Sequence, residues 1–256
     1  MTPLLLAATV AAATPWAEAT GMFRVVQTSP DTLRLSGAIR DEDDRQFAAA
    51  LSPNIRRVTL NSAGGQASTA LRMAALIEGR RIEVVVDGIC ASSCANYLFA
   101  AGAARSIRPG SVVLWHGAPD EASRADMRAQ LLDLMRKDGL SEADVQANLR
   151  REDARLSGWI AEQNALFDRK GLNLAILYGS GRAQTERATE LFRDEATATP
   201  IDFAYLSAPA LRCAGFDPAG GDPRWPTGAP ATLGLTNVRI VALPDLERRL
   251  CARKRR

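Results

Sequence analysis

Apolar and polar positions change their period several times along the first half of the chain. Residues 32–39 alternate in the manner of a strand, and residues 40–51 follow with the acidic first turn that favours a helix. Residues 56–62 are typical of a buried strand, and a flexible Ala-Gly-Gly turn follows them. The next helix is predicted from apolar side chains at helical spacing, namely Ala67, Ala70, Leu71, Ala74 and Ile77.

The same alternation continues toward the middle of the chain. Residues 81–87 are a second β-branched run, closed by Gly88, and residues 90–102 are predicted to form a helix. A third strand is predicted at 109–117, with His116 near its carboxyl end. Strands and helices in alternation indicate an α/β protein with a largely parallel sheet. Right-handed crossovers would bring the turns after the first two buried strands to one edge of that sheet, where α/β proteins usually build their sites.

The second half of the chain has a different pattern. Residues 121–178 are amphipathic and polar-faced, with a Ser-x-x-Asp helix start at Ser141, and we expect a helical insertion that packs as a cap or as an oligomer-forming arm. Short strands and a helix are predicted at 198–216, a Pro/Gly-rich loop at 217–231 and a late edge strand at 237–243. We therefore expect one α/β domain over residues 20–256, interrupted by the insertion.

The bulk composition is that of an ordinary globular protein. The chain has 256 residues, of which 46% are hydrophobic and 24% charged. Its formal net charge is +3, but the basic residues are scattered among acidic ones and few aromatic residues accompany them, so no nucleic-acid partner is predicted. Lysine occurs only at Lys137, Lys170 and Lys254, and His116 is the single histidine. Any mechanism that requires a histidine must therefore use His116.

The first nineteen residues are typical of a secretory signal peptide. Their apolar stretch is too short to span a bilayer, and a small-x-small pattern ends at Ala19, although no lysine or arginine precedes the apolar stretch. We expect a periplasmic or secreted protein without stable membrane insertion after processing. Four cysteines are compatible with an oxidising compartment and allow three complete pairings: Cys90, Cys94, Cys213 and Cys251. Their spacing matches no zinc motif, and no metal or other cofactor is predicted.

Two turns carry residues that could do chemistry. In the turn after residue 62, the backbone N–H groups of Gly64 and Gly65 could bind a developing negative charge, but taken alone the turn favours glycines needed only for their dihedral angles. Residues 90–94 read Cys-Ala-Ser-Ser-Cys, where a serine could cap a helix or act as a nucleophile. The Gly-x-Ser-x-Gly pattern of α/β-hydrolases is absent, because Gly88 lies too far from Ser93.

Four segments in the same order resemble the proteolytic subunit of the Clp protease and, more broadly, the Clp-protease/crotonase fold. Residues 59–77 resemble that family's Asn-Ser-Pro-Gly-Gly segment and its helix, and residues 90–102 resemble its Ala-Ala-Ser-Met-Gly segment, which also ends in Ala-Gly. Residues 111–119 resemble the strand that ends in the catalytic histidine, and residues 205–216 resemble the Phe-Leu-Ser-Ala-Pro segment. The resemblance implies a ββα superhelical fold, a peptide or protein substrate and possible homo-oligomers.

The resemblance also implies a set of site residues. Counting back from Gly102, the nucleophile falls on Ser93, with Ser92 left as a turn or cap residue, and the general base falls on His116. The oxyanion donors would be the backbone N–H groups of Gly65 and Cys94. The family's orienting acid aligns with Thr199, which is not an acid. Asp202 in the next strand is favoured as its substitute, and Asp194 lies upstream as the alternative. The two candidate disulfides are Cys90–Cys94, which are four residues apart, and Cys213–Cys251 as the complement.

Three functions are compatible with these residues. The first is an exported serine peptidase or related hydrolase that transfers an acyl group to water through Ser93 and His116. The second is a binding or scaffold protein on the same fold whose site has decayed, an alternative favoured by the displaced acid and the large insertion. The third is a crotonase-like enzyme acting on a coenzyme A thioester, which export disfavours. A Ser–Lys mechanism is disfavoured because all three lysines lie away from the turns.

Overall fold

The computed structural model describes residues 13–179, 201–220, 232–235 and 238–252, with only the backbone at positions 201 and 202. Within these ranges the strands are β1 (Arg24–Ser29), β2 (Thr32–Ser36), β3 (Arg57–Ser62), β4 (Glu83–Ala91), β5 (Arg105–Ile107), β6 (Val112–Trp115), β7 (Ile201–Tyr205), β8 (Ala219–Gly220) and β9 (Val238–Ala242). The α-helices are α1 (Pro15–Thr20), α2 (Asp43–Ala50), α3 (Ala67–Gly79), α4 (Arg124–Lys137), α5 (Glu142–Arg169), α6 (Ala208–Cys213) and α7 (Pro244–Ala252), and a π-helix spans Cys94–Phe99.

The strands of the described ranges form one mixed sheet, which confirms the α/β class. Along the sheet the order is β1, β2, β3, β4, β6, β7 and β9. Outside this order β5 pairs with β4, and β8 pairs with β5. Strands β2, β3, β4 and β6 run parallel, β1 is antiparallel to β2, and β7 is antiparallel to β6. Within the described ranges strand β9 is the last strand of this order and pairs with β7, so the predicted edge strand is confirmed.

The parallel strands are buried because helices cover the sheet. The apolar positions predicted for the first crossover helix are all buried on α3, which confirms its predicted face. Large side chains complete the core, among them Trp115 of β6, Tyr97 and Phe99 of the π-helix, and Phe47 of α2. Burial of such side chains contributes about 1.5–3 kcal/mol each, so this layer holds the ends of β3, β4 and β6 at fixed positions.

Strand β4 is longer than its sequence pattern predicts. It passes through Gly88 at a φ of +121° and continues to Ala91. A side chain at Gly88 would collide with the amide of Asn61, whose Oδ1 accepts a hydrogen bond from the N–H of Ile89. Beyond this irregular point β4 pairs with β6 instead of β5. The extra residues carry the chain to the side of the sheet where the parallel strands have their carboxyl ends. The helix predicted from residue 90 therefore begins only after Ala91.

The region predicted as an insertion contains α4 and α5. The hydroxyl of Ser141 accepts a hydrogen bond from the N–H of Asp144, which confirms the predicted helix start. Helix α5 contributes Leu166 and Phe167 to the main core, whereas α4 packs on α5 around a small separate cluster that includes Met135 and Val145. Helix α5 is thus part of the domain core, and α4 lies outside it. Among the described helices none has both the length and the apolar character needed to cross a membrane.

Both candidate disulfides are present. Cys90 at the end of β4 is bonded to Cys94 at the start of the π-helix, and Cys213 of α6 is bonded to Cys251 of α7. These two bonds fit a protein of an oxidising compartment. The predicted signal peptide covers residues 1–19, and residues 1–12 of it lie outside the described residues.

Candidate active site

The two serines of the 90–94 segment lie at a sharp change from strand to helix. Strand β4 ends at Ala91, Ser92 has a φ of +55°, and the helical backbone begins at the next residue. A serine in this left-handed region is uncommon and costs roughly 1–2 kcal/mol. Strained strand-to-helix turns of this kind lift a nucleophile above the end of a sheet. The turn at Ser92 therefore has the strand-to-helix shape of a nucleophile elbow, without the flanking glycines by which that motif is usually recognised.

Ser92, not Ser93, lies against the histidine. The Oγ atom of Ser92 is 2.5 Å from Nε2 of His116, and the Ser92 side chain is half-buried. Ser93 is 5% exposed, and its hydroxyl donates a hydrogen bond to the carbonyl of Gly65 at 2.8 Å. The sequence pairs Ser93 with His116 as the base, whereas the structure places Ser92 against it. Ser93 instead makes the turn-stabilising contact that we expected of Ser92.

The π-helix accounts for the one-residue difference between the count from Gly102 and the serine that contacts His116. A π-helix closes its hydrogen bonds from i to i+5, one residue more than an α-helix, so it accommodates an additional residue in the same turn. The segment Cys94–Phe99 has this geometry, whereas the count assumed the family's own spacing between nucleophile and Ala-Gly. With one residue added, the position that meets His116 moves from Ser93 to Ser92.

The Gly64–Gly65 turn packs directly under the serines. Strands β3, β4 and β6 are parallel, so their carboxyl ends bring Gly64, Ser92 and His116 to one edge, as predicted. A Cβ atom on Gly64 would lie only 2.5 Å from the carbonyl oxygen of Ala91 and 2.7 Å from the nitrogen of Ser93. Gly64 and Gly65 have φ values of +87° and +140°, so both close approach and backbone conformation require glycine here.

Two backbone N–H groups of these turns are candidates for binding an oxyanion. The N–H of Ser93 lies in the first turn of a helix, where backbone donors have no intrahelical acceptor. The N–H of Gly65 takes part in none of the backbone hydrogen bonds of the described turns and loops, whereas that of Gly64 donates to the hydroxyl of Ser62. Gly65 stays a predicted oxyanion donor. If Ser92 is the nucleophile, the second donor is the N–H of Ser93 instead of that of Cys94.

His116 follows directly after β6, at the surface but with much of its ring surrounded by protein. Its ring lies 5.6 Å from that of Phe203 on the neighbouring strand, in an edge-on arrangement. Burial lowers the pKa of His116 below its ordinary value of 6.5, although a backbone hydrogen bond opposes this. The imidazole is therefore neutral at pH 7, the state in which it can accept the proton of a serine hydroxyl.

The described side chains do not show which acid would complete a triad with Ser92 and His116. Asp202 lies in β7, where its backbone is in register with Arg239 of β9, but its side chain falls outside the described residues, as does position 199. Asp120 follows His116 by four residues, and its carboxylate accepts a hydrogen bond from the N–H of Ser123. The role of Asp202 as the orienting acid stays a prediction.

The sequence pattern missed two polar residues that contact this region. The side chain of Asn96 donates to the carbonyl of Gly117, and that of Gln163 donates to the carbonyl of Pro119. Both lie on helices at positions that periodicity reads only as core, so no local signal distinguishes them. In the described part of the chain, no three side chains of the metal-binding types cluster together.

The fold and this edge together define an α/β protein with a Ser–His pair at the carboxyl ends of parallel strands and a disulfide around the serine turn. Comparison with known proteins adds no family: no family model matches the chain, and neither does any curated protein.

Proposed function

We propose that this protein is an exported serine hydrolase of the peptidase type, on a fold of the Clp-protease/crotonase kind. The observation that carries the proposal is the 2.5 Å contact between Ser92 Oγ and His116 Nε2 at a strained strand-to-helix turn. A serine hydroxyl is a weak nucleophile until a neighbouring base accepts its proton, and the lowered pKa keeps His116 in the form that does so.

The proposed reaction follows the order of acyl transfer. Ser92 attacks the carbonyl carbon of a peptide or related acyl substrate while its proton passes to Nε2 of His116. The N–H groups of Ser93 and Gly65 hold the oxygen of the tetrahedral intermediate, and the imidazolium then protonates the leaving group. Water repeats these steps on the acyl-enzyme, with His116 again as the base, and releases the acid. Asp202 is the candidate acid that orients the imidazole.

The location in the periplasm or outside the cell belongs to the same proposal. The apolar leader and its small-x-small pattern support export, and the two disulfides fit an oxidising compartment. Self-association, which the resemblance to the Clp subunit implies, is part of the proposal as well.

Fluorophosphonate labelling of the intact protein tests the assignment, with the neighbouring serine as a matched control. We expect the probe to modify Ser92, as located by peptide mass spectrometry. Labelling should be lost in Ser92→Ala and fall by about a thousandfold or more in His116→Ala, because the base is removed. Ser93→Ala should retain labelling within about tenfold, since Ser93 contributes its backbone N–H.

Two results would reverse these conclusions. Modification of Ser93 in the wild type, with Ser92→Ala still labelled, would restore the assignment made from the sequence. A folded wild-type protein that no probe modifies would favour the alternative of a binding or scaffold protein with a decayed site.

A further inference from the structure

One residue links the backbone of the serine to the backbone beyond the histidine. The N–H of Asn96 donates to the carbonyl of Ser92 at 2.8 Å, as part of the helical turn that follows the serine. Its side-chain Nδ2 donates to the carbonyl of Gly117, the residue after His116, at 3.0 Å. Asn96 is 3% exposed, so both hydrogen bonds are protected from water. Asn96 thereby bridges the two segments that carry the proposed nucleophile and base.

A second amide holds the same loop from the helical insertion. Gln163 of α5 is fully buried, and its Nε2 donates to the carbonyl of Pro119 at 2.7 Å. Its Oε1 accepts a hydrogen bond at 3.0 Å from the hydroxyl of Tyr97, the residue next to Asn96 on the π-helix. Burial raises the pKa of Tyr97 well above its ordinary value, so this hydroxyl keeps its proton. Trp159 of α5 donates in turn to the oxygen of Tyr97 at 2.6 Å.

The side chain of Asn96 leaves one buried polar atom without a partner among the described residues. With Nδ2 directed at the carbonyl of Gly117, Oδ1 is buried and has no hydrogen-bond partner within the described ranges. A buried acceptor left unpaired is destabilising, and native structures contain few of them. An apolar residue of similar size would avoid that cost but would release the carbonyl of Gly117.

We propose that Asn96 and Gln163 are positioning residues that hold the loop of residues 116–120, and with it the ring of His116, against Ser92. The inference rests on the proposed function and deepens it, since it makes α5 of the insertion a part of the active-site architecture. Neither amide touches the reacting atoms. Each acts by fixing a carbonyl group one or three residues after the histidine, which restricts where the imidazole can lie.

The test compares tag-free variants Asn96→Ala and Gln163→Leu with Gln146→Leu as the matched control. Gln146 is an exposed residue of the same helix α5, and its side chain donates only to Glu142. The second-order rate of fluorophosphonate labelling is measured for each protein, together with its Tm. Because His116 is the only histidine, the NMR titration of its ring can be followed without assignment by mutation.

We expect both variants to label about tenfold or more slowly, since small misplacements of a catalytic group cost one to two orders of magnitude in rate. The titration midpoint of His116 should move upward toward 6.5 as the surrounding protein packs less closely against the ring. Gln146→Leu should match the wild type in both measurements. Asn96→Ala removes the unpaired Oδ1 but also leaves the buried carbonyl of Gly117 without its donor, so its Tm should fall below that of the wild type.

Labelling at the wild-type rate in both variants, or slower labelling with an unmoved His116 titration, would overturn the positioning role. If Asn96→Ala does not fold, Gln163→Leu decides the question alone. Failure of the proposed function gives a different result, because the wild type itself would then be unlabelled or insensitive to His116→Ala.

Discussion

The position of Ser92 depends on a backbone conformation that serine rarely adopts. Its φ of +55° turns the hydroxyl toward His116, while Ser93 returns to helical angles and turns its hydroxyl toward Gly65. Two identical side chains in adjacent positions thus have different surroundings because one dihedral angle differs between them. That difference arises from packing around the turn, and Gly64 is the residue that permits it.

Replacing Gly64 by alanine should therefore destabilise the protein at the turn under the serines. The new Cβ would overlap the carbonyl of Ala91 and the nitrogen of Ser93, and alanine is strained at a φ of +87°. We expect Gly64→Ala to lower the free energy of unfolding by about 2–4 kcal/mol in urea titrations. Gly139, which also has a positive φ but open space around it, is the matched control, and its alanine variant should lose only about 1 kcal/mol. Equal losses at the two positions would show that close packing under the serines is unimportant.

The lowered pKa of His116 predicts the pH dependence of labelling. The neutral imidazole is the active form, so the rate should rise with pH and reach half its maximum below pH 6.5. The measurement is the fluorophosphonate labelling rate from about pH 4 to about pH 9, in a protein shown to stay folded over that pH range. Because the folded-state pKa lies below the unfolded one, protonation of His116 also costs stability as the pH falls below about 6.5. A midpoint at or above 6.5 would contradict the inferred burial.

At the scale of elements, the serine turn is bounded by a disulfide that closes a very short loop. Cys90 and Cys94 are four residues apart, whereas Cys213 and Cys251 are 38 apart. The loss of loop entropy in the unfolded chain grows with loop length, so the first bond should contribute about 2 kcal/mol and the second about 4 kcal/mol. Their effects on the site should have the opposite order, because only Cys90–Cys94 encloses Ser92.

This contrast gives a paired prediction for double-alanine variants. Loss of Cys213–Cys251 should reduce the free energy of unfolding by about 4 kcal/mol and leave the labelling rate of the folded protein unchanged. Loss of Cys90–Cys94 should cost about 2 kcal/mol but slow labelling about tenfold or more, because Ser92 is less constrained. Both quantities come from urea titration and from labelling kinetics at a pH where each variant is folded. Labelling that follows stability in both variants would mean that the bond around Ser92 has no specific role.

The π-helix marks the limit of what periodicity could predict about this element. Apolar spacing located strands β2, β3 and β6 and the buried face of α3, because alternate or every-third-and-fourth positions follow from backbone geometry alone. The register of Ser92 against His116 does not follow from such patterns. It depends on one residue accommodated in Cys94–Phe99 and on a strand that continues past Gly88, and both features are set by long-range packing.

At the scale of the molecule, the sheet brings together residues far apart in sequence. The parallel order of β3, β4 and β6 could be predicted from alternating strands and helices, and with it the edge that carries Gly65, Ser92 and His116. The contribution of α5 could not, because Gln163 reaches the histidine loop across more than forty residues and resembles any other core-facing helix position. Strand β1 and helix α1 were not predicted either. Helix α1 lies in the segment that was interpreted as a leader.

Helix α1 tests where the folded domain begins. Ala19 is fully buried, its carbonyl accepts a hydrogen bond from the N–H of Ala63, and Glu18 binds both Arg34 and Asn61. Although partial burial opposes it, hydrogen bonds from Arg34 and Asn61 lower the pKa of Glu18 below its ordinary value, so this contact should weaken in acid. A leader removed after Ala19 would take these contacts with it, next to the turn that carries Gly64.

We therefore expect chains beginning at residue 14 and at residue 20 to differ. The shorter chain should lose about 2 kcal/mol or more of unfolding free energy, because Ala19 and the contact of Trp16 with Phe203 are removed. Its Tm should be lower by roughly 5 °C. Phe203 also packs against His116, so the shorter chain should label more slowly with a fluorophosphonate. A Glu18→Gln variant of the longer chain separates the ionic contribution from the loss of the helix. Equal Tm values and labelling rates for the two chains would place the start of the functional domain after Ala19, as the signal-peptide pattern predicts.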